Sequence, residues 1–262
     1  THRVFDFDRA LVRRPGRSVS GGLREGDHAD PSYEGVAAEH QAYVAALGAA
    51  GVAVEVLPAL EAFPDSVFVE DPALVFPEAA IVLRPGAPSR LGEAEAIRAE
   101  LQSRFERVFD LDGAGHADGG DVLVTPNEVL IGLSSRTDRA GAEALAARLG
   151  EIGRPARVVQ PPAGVLHLKT GCSLLDEETV IVNPAMARSG ILAGFRQVVT
   201  ADGEEAAANA LRINEVLLLG AAFVRTRALV EALGIEVVPL AVAEIGRIDA
   251  GLSCMSLRWK QA

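Results

Sequence analysis

A short motif repeats along the chain: a polar residue stands directly before a brief apolar stretch. It occurs in six places, which begin at Asp8, Asp71, Asp121, Cys172, Asn209 and Cys254. The starts are separated by roughly 40 to 60 residues, an interval typical of propellers and other repeated units. Any strand of an ordinary α/β protein can also begin with a polar residue, and the motif alone favours that simpler explanation. As a functional signal, it predicts polar strand ends that converge at one end of a central axis.

Apolar periodicity predicts alternating strands and helices along the whole chain. Strands are expected at residues 4–7 and 52–57. Helices are expected at residues 34–50, 89–105, 138–149 and 226–233, several of them ended by a glycine. Because no linker or low-complexity tract divides the sequence, we interpret residues 1–262 as a single domain.

Charge and composition argue against several classes of protein. The 262 residues include 25 Lys or Arg and 36 Asp or Glu, a net charge of −11. Such a field repels phosphate backbones and anionic lipids, so no nucleic-acid partner is expected. The apolar runs are far shorter than the ~20 residues that span a bilayer, so no membrane segment is expected. With 2 cysteines and no signal-peptide pattern, the sequence predicts a cytoplasmic protein.

Acidic residues occupy unusual positions in two segments. Asp65, Glu70 and Asp71 interrupt an apolar, strand-like stretch, where ionised carboxylates are costly unless paired or solvated. They predict a cationic partner, although Asp65 is also explained as a turn residue. In the second segment, residues 118–121 read Asp-Gly-Gly-Asp, and the glycines permit close backbone approach or a positive φ. That pattern is as often a structural turn as a site.

His167 and Cys254 are candidates for nucleophilic catalysis. Of the 5 histidines, His167 alone stands in a mostly apolar context, where a histidine is more often a core residue. Cys254 follows a glycine-containing turn, whereas Cys172 has the character of a small buried hydrophobe. Together they allow attack by a thiolate with an imidazole moving protons. The sequence contains no metal-ligand spacing and no phosphate-binding glycine loop, so neither a metal nor a cofactor is expected.

Six segments carry a family resemblance, at residues 63–72, 84–90, 119–122, 132–137, 167–171 and 248–257. In this order they resemble the dimethylarginine dimethylaminohydrolases, members of the guanidino-group-modifying superfamily called penteins. The resemblance implies an α/β fold, a five-bladed αβ propeller with a pseudo-fivefold repeat of strand-strand-helix-strand units. Its active site would lie on the axis, which would account for the repeated motif.

The resemblance also implies the role of individual residues. Cys254 would be the nucleophile, His167 the general acid and base, and Asp118 the carboxylate that orients His167. The implied substrate-binding residues are Asp71 with Glu70 nearby at the guanidinium, Asp249 beside the nucleophile, Arg90 and Arg136 at the α-carboxylate, Asp65 at the α-ammonium, Phe68 over the aliphatic stem, and Leu23 in a substrate lid at residues 21–33.

The implied reaction converts Nω-methylated arginine to citrulline through a covalent thiouronium, without a metal or an organic cofactor. The expected partner is this small-molecule substrate, and a homodimer is left open. The lid sequence from Leu23 onward departs from most members of the family.

Related enzymes offer alternative functions. Arginine and agmatine deiminases typically have an Asp two residues after the catalytic His, and this chain has Lys169 there. A citrulline hydrolase and a non-catalytic binding protein on the same scaffold are further alternatives, and the second would lack the Cys, the His and the paired carboxylates.

Overall fold

The computed structural model describes residues 2–261, and in this part of the chain fifteen short strands alternate with six α-helices. In chain order they are β1 (Arg9–Arg13), α1 (Tyr33–Ala49), β2 (Ala53–Leu57), β3 (Ala73–Phe76), β4 (Ala79–Val82), α2 (Leu91–Gln102), β5 (Val108–Asp110), β6 (Val122–Val124), β7 (Val129–Gly132), α3 (Arg139–Glu151), β8 (Ala156–Val159), β9 (Cys172–Leu174), β10 (Thr179–Val182), α4 (Pro184–Ser189), β11 (Arg196–Val199), β12 (Leu211–Ile213), β13 (Val216–Gly220), α5 (Val224–Glu231), β14 (Glu236–Leu240), α6 (Ala243–Gly246) and β15 (Leu257–Trp259).

Within the described residues, the strands form five sheets of three strands on one plan. The first strand pairs antiparallel with the second, and a helix then leads to a third strand that pairs parallel with the second. Four sheets follow the chain: β3-β4-β5, β6-β7-β8, β9-β10-β11 and β12-β13-β14. The fifth has the order β15-β1-β2, so its first strand comes from the far end of the sequence. The expected pseudo-fivefold propeller is confirmed.

Five apolar clusters lie between neighbouring units, one at each junction of the ring. Between the units of sheets β15-β1-β2 and β12-β13-β14, Tyr43 and Leu47 of α1 pack with Leu218 of β13, and all three are fully buried. Burying one such leucine stabilises the fold by about 1.5–3 kcal/mol. The other junctions are marked by Ile97, Ile131, Met186 and Val230. Because each unit contributes apolar residues to the clusters on both of its sides, removal of one unit would expose two clusters.

The predicted helices correspond to α1, α2, α3 and α5, with ends that differ by a few residues. α1 begins after Ser32, whose hydroxyl accepts a hydrogen bond from Gly35 N at 3.0 Å and so satisfies a free N–H of the first turn. α2 begins later than predicted because a 3₁₀ turn, Pro88–Arg90, precedes it. α4 and α6 were not predicted, since neither is long enough to show an apolar period.

The strand predicted at residues 4–7 is wrong, because this segment is a turn and the first strand begins at Arg9. The side chain of Asn214 makes the hydrogen bonds to the backbone of Phe7 that a neighbouring strand would otherwise make. Its Oδ1 accepts from Phe7 N at 2.8 Å, and its Nδ2 donates to Phe7 O at 2.9 Å. The prediction at residues 52–57 is confirmed by β2.

A search for helices able to cross a bilayer finds none within residues 2–261, since none there is long and apolar enough.

Candidate active site

Polar residues that precede the first strand of each unit meet near the axis of the ring. Each of the five units contributes one, and in chain order they are Asp71, Asp118, His167, Asn209 and Cys254. Contacts between units hold the group together. Gly120 N donates to Asp71 Oδ1 at 3.0 Å, and Glu70 N donates to Cys254 O at 3.2 Å. The sheet plan thus brings together side chains that are far apart in sequence.

Asp8 does not join this group, although its motif is the same. It precedes β1, the middle strand of its sheet, which runs antiparallel to β15. Asp8 therefore lies at the other end of the ring, where its N donates to Trp259 O at 3.2 Å and its carboxylate accepts from Gln261 N at 2.8 Å.

Asp71 is the buried carboxylate at the centre of the site. It accepts hydrogen bonds from Gly120 N and from the guanidinium of Arg90. Burial alone would raise its pKa, but the charges of Arg90 and His167 outweigh burial and lower the pKa to about 2. Asp71 is therefore ionised at every physiological pH and can attract a cation.

Glu70 belongs to a separate charged network beside Cys254. Its Oε1 accepts from the Ser253 hydroxyl at 2.9 Å, and its Oε2 lies 2.7 Å from Lys169 Nζ and 2.8 Å from Arg258 Nη2. The cationic partner predicted for the Glu70-Asp71 pair thus exists within the protein, and it differs for the two residues. A cavity of about 370 Å³ adjoins Glu70, Lys169 and Ser253, and its lining does not include Cys254.

His167 is held between two carboxylates. Its Nε2 lies 3.0 Å from Asp118 Oδ2 and 4.0 Å from Asp71 Oδ1. Burial alone would lower the pKa of His167, but Asp71 and the hydrogen bond with Asp118 raise it to about 9. At neutral pH the imidazole is protonated and can deliver a proton to a leaving group.

The Asp-Gly-Gly-Asp segment builds the support for His167. A Cβ on Gly119 would lie 1.9 Å from Glu70 O, so the glycine here serves close backbone approach. Neither glycine has a positive φ. Asp121 accepts from Leu168 N at 2.9 Å and from the hydroxyls of Ser134 and Thr137, both at 2.6 Å, which fixes the backbone next to His167.

Cys254 is half-buried at the end of a turn, with Gly251 N facing its Sγ at 3.4 Å. Burial raises the pKa of its thiol to about 12, and the nearby carboxylates of Glu70 and Asp71 add to the rise. Without a ligand, Cys254 therefore remains a thiol at neutral pH. An incoming cation would offset both carboxylates and favour the thiolate.

Asn209 is a residue of the site that sequence analysis did not identify as functional. Its Nδ2 lies 4.0 Å from Cys254 Sγ, and its Oδ1 accepts from Ser253 N at 3.2 Å. The one signal available in the sequence was its place in the repeated motif.

The predicted lid lies between two carboxylates. Leu23 N donates to Asp65 Oδ1 at 3.0 Å, and Glu25 N donates to Asp249 Oδ2 at 2.6 Å. Burial raises the pKa of Asp65. Asp249 has a φ of 57°, in the left-handed region that few residues other than glycine adopt. Phe68, also predicted for the site, is buried.

The two predicted carboxylate-binding arginines have different surroundings. Arg90 is buried, and its guanidinium donates to Asp71, Glu93 and Phe68 O. It therefore holds Asp71 in place within the protein. Arg136 is half-buried, lies close enough to Asp65 to lower the pKa of that carboxyl, and makes no ion pair with any residue between 2 and 261. Its guanidinium remains available for a ligand.

One cluster in the described part of the chain has the spacing to hold a metal ion. Ligand atoms of Asp71, Asp118 and His167 lie within 4.8 Å of one another. A metal ligand must be a neutral imidazole. Because the pKa of His167 is raised to about 9, the ring has no free lone pair at neutral pH. A metal ion would therefore have to displace this proton before it could bind the ring.

Fold and site together define a pentein, a ring of five αβ units with a cysteine, a histidine and carboxylates on its axis. A family model described as arginine deiminase matches residues 59–217. The chain is 35% identical over 254 residues to the N(G),N(G)-dimethylarginine dimethylaminohydrolase of Pseudomonas aeruginosa, covering 97% of this chain and 100% of that one. It is 35% identical over 259 residues to the Streptomyces coelicolor enzyme of the same name, covering 97% of each.

Solved structures agree with the sequence comparison. A cysteine-to-serine mutant of the P. aeruginosa enzyme, complexed with citrulline, superposes with a TM-score of 0.94 at 35% identity and covers 97% of this chain and 100% of that one. The chain belongs to the dimethylarginine dimethylaminohydrolase family, which confirms the resemblance found in the sequence.

Proposed function

We propose that this chain hydrolyses asymmetric dimethylarginine and monomethylarginine to citrulline and the corresponding methylamine, through a covalent intermediate on Cys254. It is an enzyme of the dimethylargininase class, as are its full-length relatives. The observation that carries the proposal is the grouping of a cysteine, a protonated histidine and an ionised carboxylate on the axis of a fold whose relative binds citrulline.

Substrate binding follows from the charges around the site. The ionised carboxylate of Asp71 receives the guanidinium, and the free guanidinium of Arg136 receives the α-carboxylate through forked N–H donors. Asp65 accepts the α-ammonium. Phe68 covers the aliphatic stem, and the lid segment with Leu23 closes over it.

The chemistry proceeds in two halves, each using Cys254 and His167. The bound guanidinium lowers the pKa of the Cys254 thiol, which releases its proton to solvent, and the thiolate attacks the guanidinium carbon to form a C–S bond. The C–N bond to dimethylamine then breaks as protonated His167 gives its proton to the departing nitrogen. Water next attacks the thiouronium carbon and loses a proton to His167. The C–S bond then breaks as the hydroxyl proton of the intermediate passes to the departing sulfur, which releases citrulline and restores the thiol.

The deiminase alternatives differ at Lys169. Two carboxylates grip an unsubstituted guanidinium in those enzymes, whereas here Lys169 neutralises Glu70. Only Asp71 is then left to hold the guanidinium. Contact with a single carboxylate suits a methylated guanidinium, which has fewer N–H groups to donate. The ring as a whole, residues 1–262, is proposed as one catalytic domain acting on a small molecule, and the cytoplasm as its location.

The test measures citrulline and dimethylamine release from asymmetric dimethylarginine, monomethylarginine, arginine and agmatine side by side. We expect both methylarginines to be hydrolysed and arginine to be left nearly untouched. Equal kcat/KM on arginine and dimethylarginine would establish a deiminase instead. Absence of product from all four substrates would favour the binding-protein alternative.

A further inference from the structure

Asn209 touches the nucleophile without a role in the chemistry described above. Its amide faces in two directions: Nδ2 lies 4.0 Å from Cys254 Sγ, and Oδ1 accepts a hydrogen bond from Ser253 N at 3.2 Å. One side chain thus contacts both the reacting sulfur and the residue before it. Its position before β12 places it on the axis with the four other residues of the site.

The turn that carries the nucleophile is packed against this amide. A Cβ on Gly251 would lie 2.3 Å from Asn209 Cγ, so a side chain at position 251 would push the two apart. Gly251 N itself faces Cys254 Sγ at 3.4 Å. The sulfur therefore has two N–H groups beside it, one from the backbone and one from Asn209.

The charged groups that face Cys254 make such donors necessary. The carboxylates of Glu70 and Asp71 disfavour a negative sulfur, and burial acts in the same direction. Lys169 is the nearby cation, but its Nζ is paired with Glu70 at 2.7 Å. A hydrogen bond donated to the charged form of a group favours that form without adding a charge that would repel the substrate guanidinium.

We propose that Asn209 is a catalytic residue, donating an N–H to the Cys254 thiolate once the guanidinium is bound, while its carbonyl oxygen holds Ser253 and hence the sulfur in place. The inference rests on the proposed function, because the thiolate has to form for the hydrolysis to begin. It assigns the unit of sheet β12-β13-β14 a direct part in the reaction.

Two variants separate the donor role from a structural one. Asn209→Asp keeps an oxygen that can accept from Ser253 N, but it replaces the donor with a third carboxylate. Asn209→Ala removes both contacts and adds no charge. Each is measured for kcat and KM on asymmetric dimethylarginine, and for thiolate absorbance against pH with a non-reactive amidine bound.

We expect kcat of Asn209→Ala to fall roughly 10- to 100-fold, the range for a lost charge-assisted hydrogen bond, with KM nearly unchanged. Its thiolate should form at higher pH than that of the wild type, and Asn209→Asp should be more impaired. Asn127→Ala, at an exposed asparagine of a loop, is the control and should match the wild type. If Asn209→Ala does not fold, Asn209→Ser takes its place, with the same expected direction.

Wild-type kcat in Asn209→Asp would overturn the proposal. It would show that the contact with Ser253 N, which the aspartate keeps, is sufficient, and that the N–H donor, which the aspartate lacks, is not needed. Unchanged thiolate titration in Asn209→Ala would overturn it as well. Failure of the proposed function would look different: the wild type would not release citrulline from dimethylarginine, while the thiolate titration would still report on the amide.

Discussion

Gly120 and His167 are in such close contact that the glycine cannot carry a side chain. A Cβ at position 120 would lie 2.8 Å from both Cγ and Nδ1 of His167, and 2.9 Å from Asp71 Oδ1. The backbone N of Gly120 donates to the same Asp71 oxygen at 3.0 Å. One glycine therefore fixes the distance between the general acid and the carboxylate proposed to hold the guanidinium.

Gly120→Ala should displace the imidazole. We expect kcat to fall by about 100-fold, a loss of the size that misplaced catalytic groups produce, and the free energy of unfolding to fall by about 1–3 kcal/mol, the usual cost of overpacking. Steady-state kinetics and urea unfolding measure the two effects. Gly150→Ala is the matched control, since a Cβ there meets nothing within 4 Å and should leave kcat unchanged. Wild-type kcat in Gly120→Ala would contradict the role given to His167.

Arg136→Ala and Arg90→Ala should fail in different ways. Loss of a forked contact to the α-carboxylate costs about 1.5–3 kcal/mol, so KM of Arg136→Ala should rise roughly 10- to 100-fold while its stability stays near wild type. Arg90→Ala leaves Asp71 and Glu93 buried without their cation, which should lower the free energy of unfolding by about 3–5 kcal/mol. An unchanged KM in Arg136→Ala would show that another group binds the carboxylate.

The two cysteines should respond oppositely to replacement by serine. Cys254→Ser should be inactive, and Cys172→Ser nearly normal, because Cys172 is fully buried and donates only to Leu168 O, a bond that a hydroxyl can keep. The thiolate absorbance that Cys254→Ser lacks should shift to lower pH when a non-reactive amidine binds. A free-enzyme pKa well below 7 that ligand leaves unchanged would indicate a preformed thiolate–imidazolium pair with His167.

Lys169→Met should relax the preference for methylated substrates. Glu70 keeps its contacts with Arg258 and Ser253 but loses one neutralising charge, which frees it to attract an unsubstituted guanidinium. We expect the ratio of kcat/KM for dimethylarginine to that for arginine to fall about tenfold, or about 1.4 kcal/mol. This is less than the roughly 4 kcal/mol of one charge at about 4 Å and an effective dielectric near 20, because Arg258 still pairs with Glu70. Lys260→Met, at the other end of the ring beside Asp8, is the control. An unchanged ratio would exclude Lys169 from substrate choice.

His40 should make stability depend on pH. Burial lowers its pKa from 6.5 to about 4, and its Nε2 has no partner in the described part of the chain. Above pH 6.5 the ring is neutral in both the folded and unfolded states. As the pH falls towards 4, the unfolded chain binds the proton and the folded one does not, so the free energy of unfolding should drop by up to roughly 3 kcal/mol.

Urea unfolding of the wild type and His40→Leu across this range gives the contribution of His40, because all other groups titrate equally in both proteins. The wild type should lose stability faster than the variant between pH 6.5 and 4. Parallel curves would mean that His40 is not buried in a neutral form.

The sequence predicted the ring but not the way it closes. Of the motif positions, Asp71, Asn209 and Cys254 belong to the group near the axis, because a sheet plan used five times brings equivalent strand ends together. In two other units the group contains Asp118 and His167, and the motif residues Asp121 and Cys172 lie outside it. The same motif misplaced Asp8, since nothing local distinguishes the middle strand of a sheet from its first strand. Ion pairs within the protein could not be predicted from the sequence either, because the pair between Lys169 and Glu70 joins residues about a hundred positions apart.

Residues that act through a single backbone contact were equally difficult to predict. Asp249 was expected beside the nucleophile for its carboxylate. Its hydrogen bond to the lid at Glu25 N depends on a left-handed φ that periodicity does not report. Asn209 carries the repeated motif, but a polar residue before a strand is equally typical of an ordinary α/β protein, so the motif alone does not identify it as functional.

The proposed nucleophile is the last member of the axial group in chain order. Cys254 follows Asp71, Asp118, His167 and Asn209, and the strand after it, β15, pairs with β1 from the other end of the described residues. A nascent chain that ends before residue 254 contains His167, the carboxylates and most of the fold, but it has no sulfur at this site. Such a chain could not begin the proposed hydrolysis, so activity requires synthesis of the chain through Cys254.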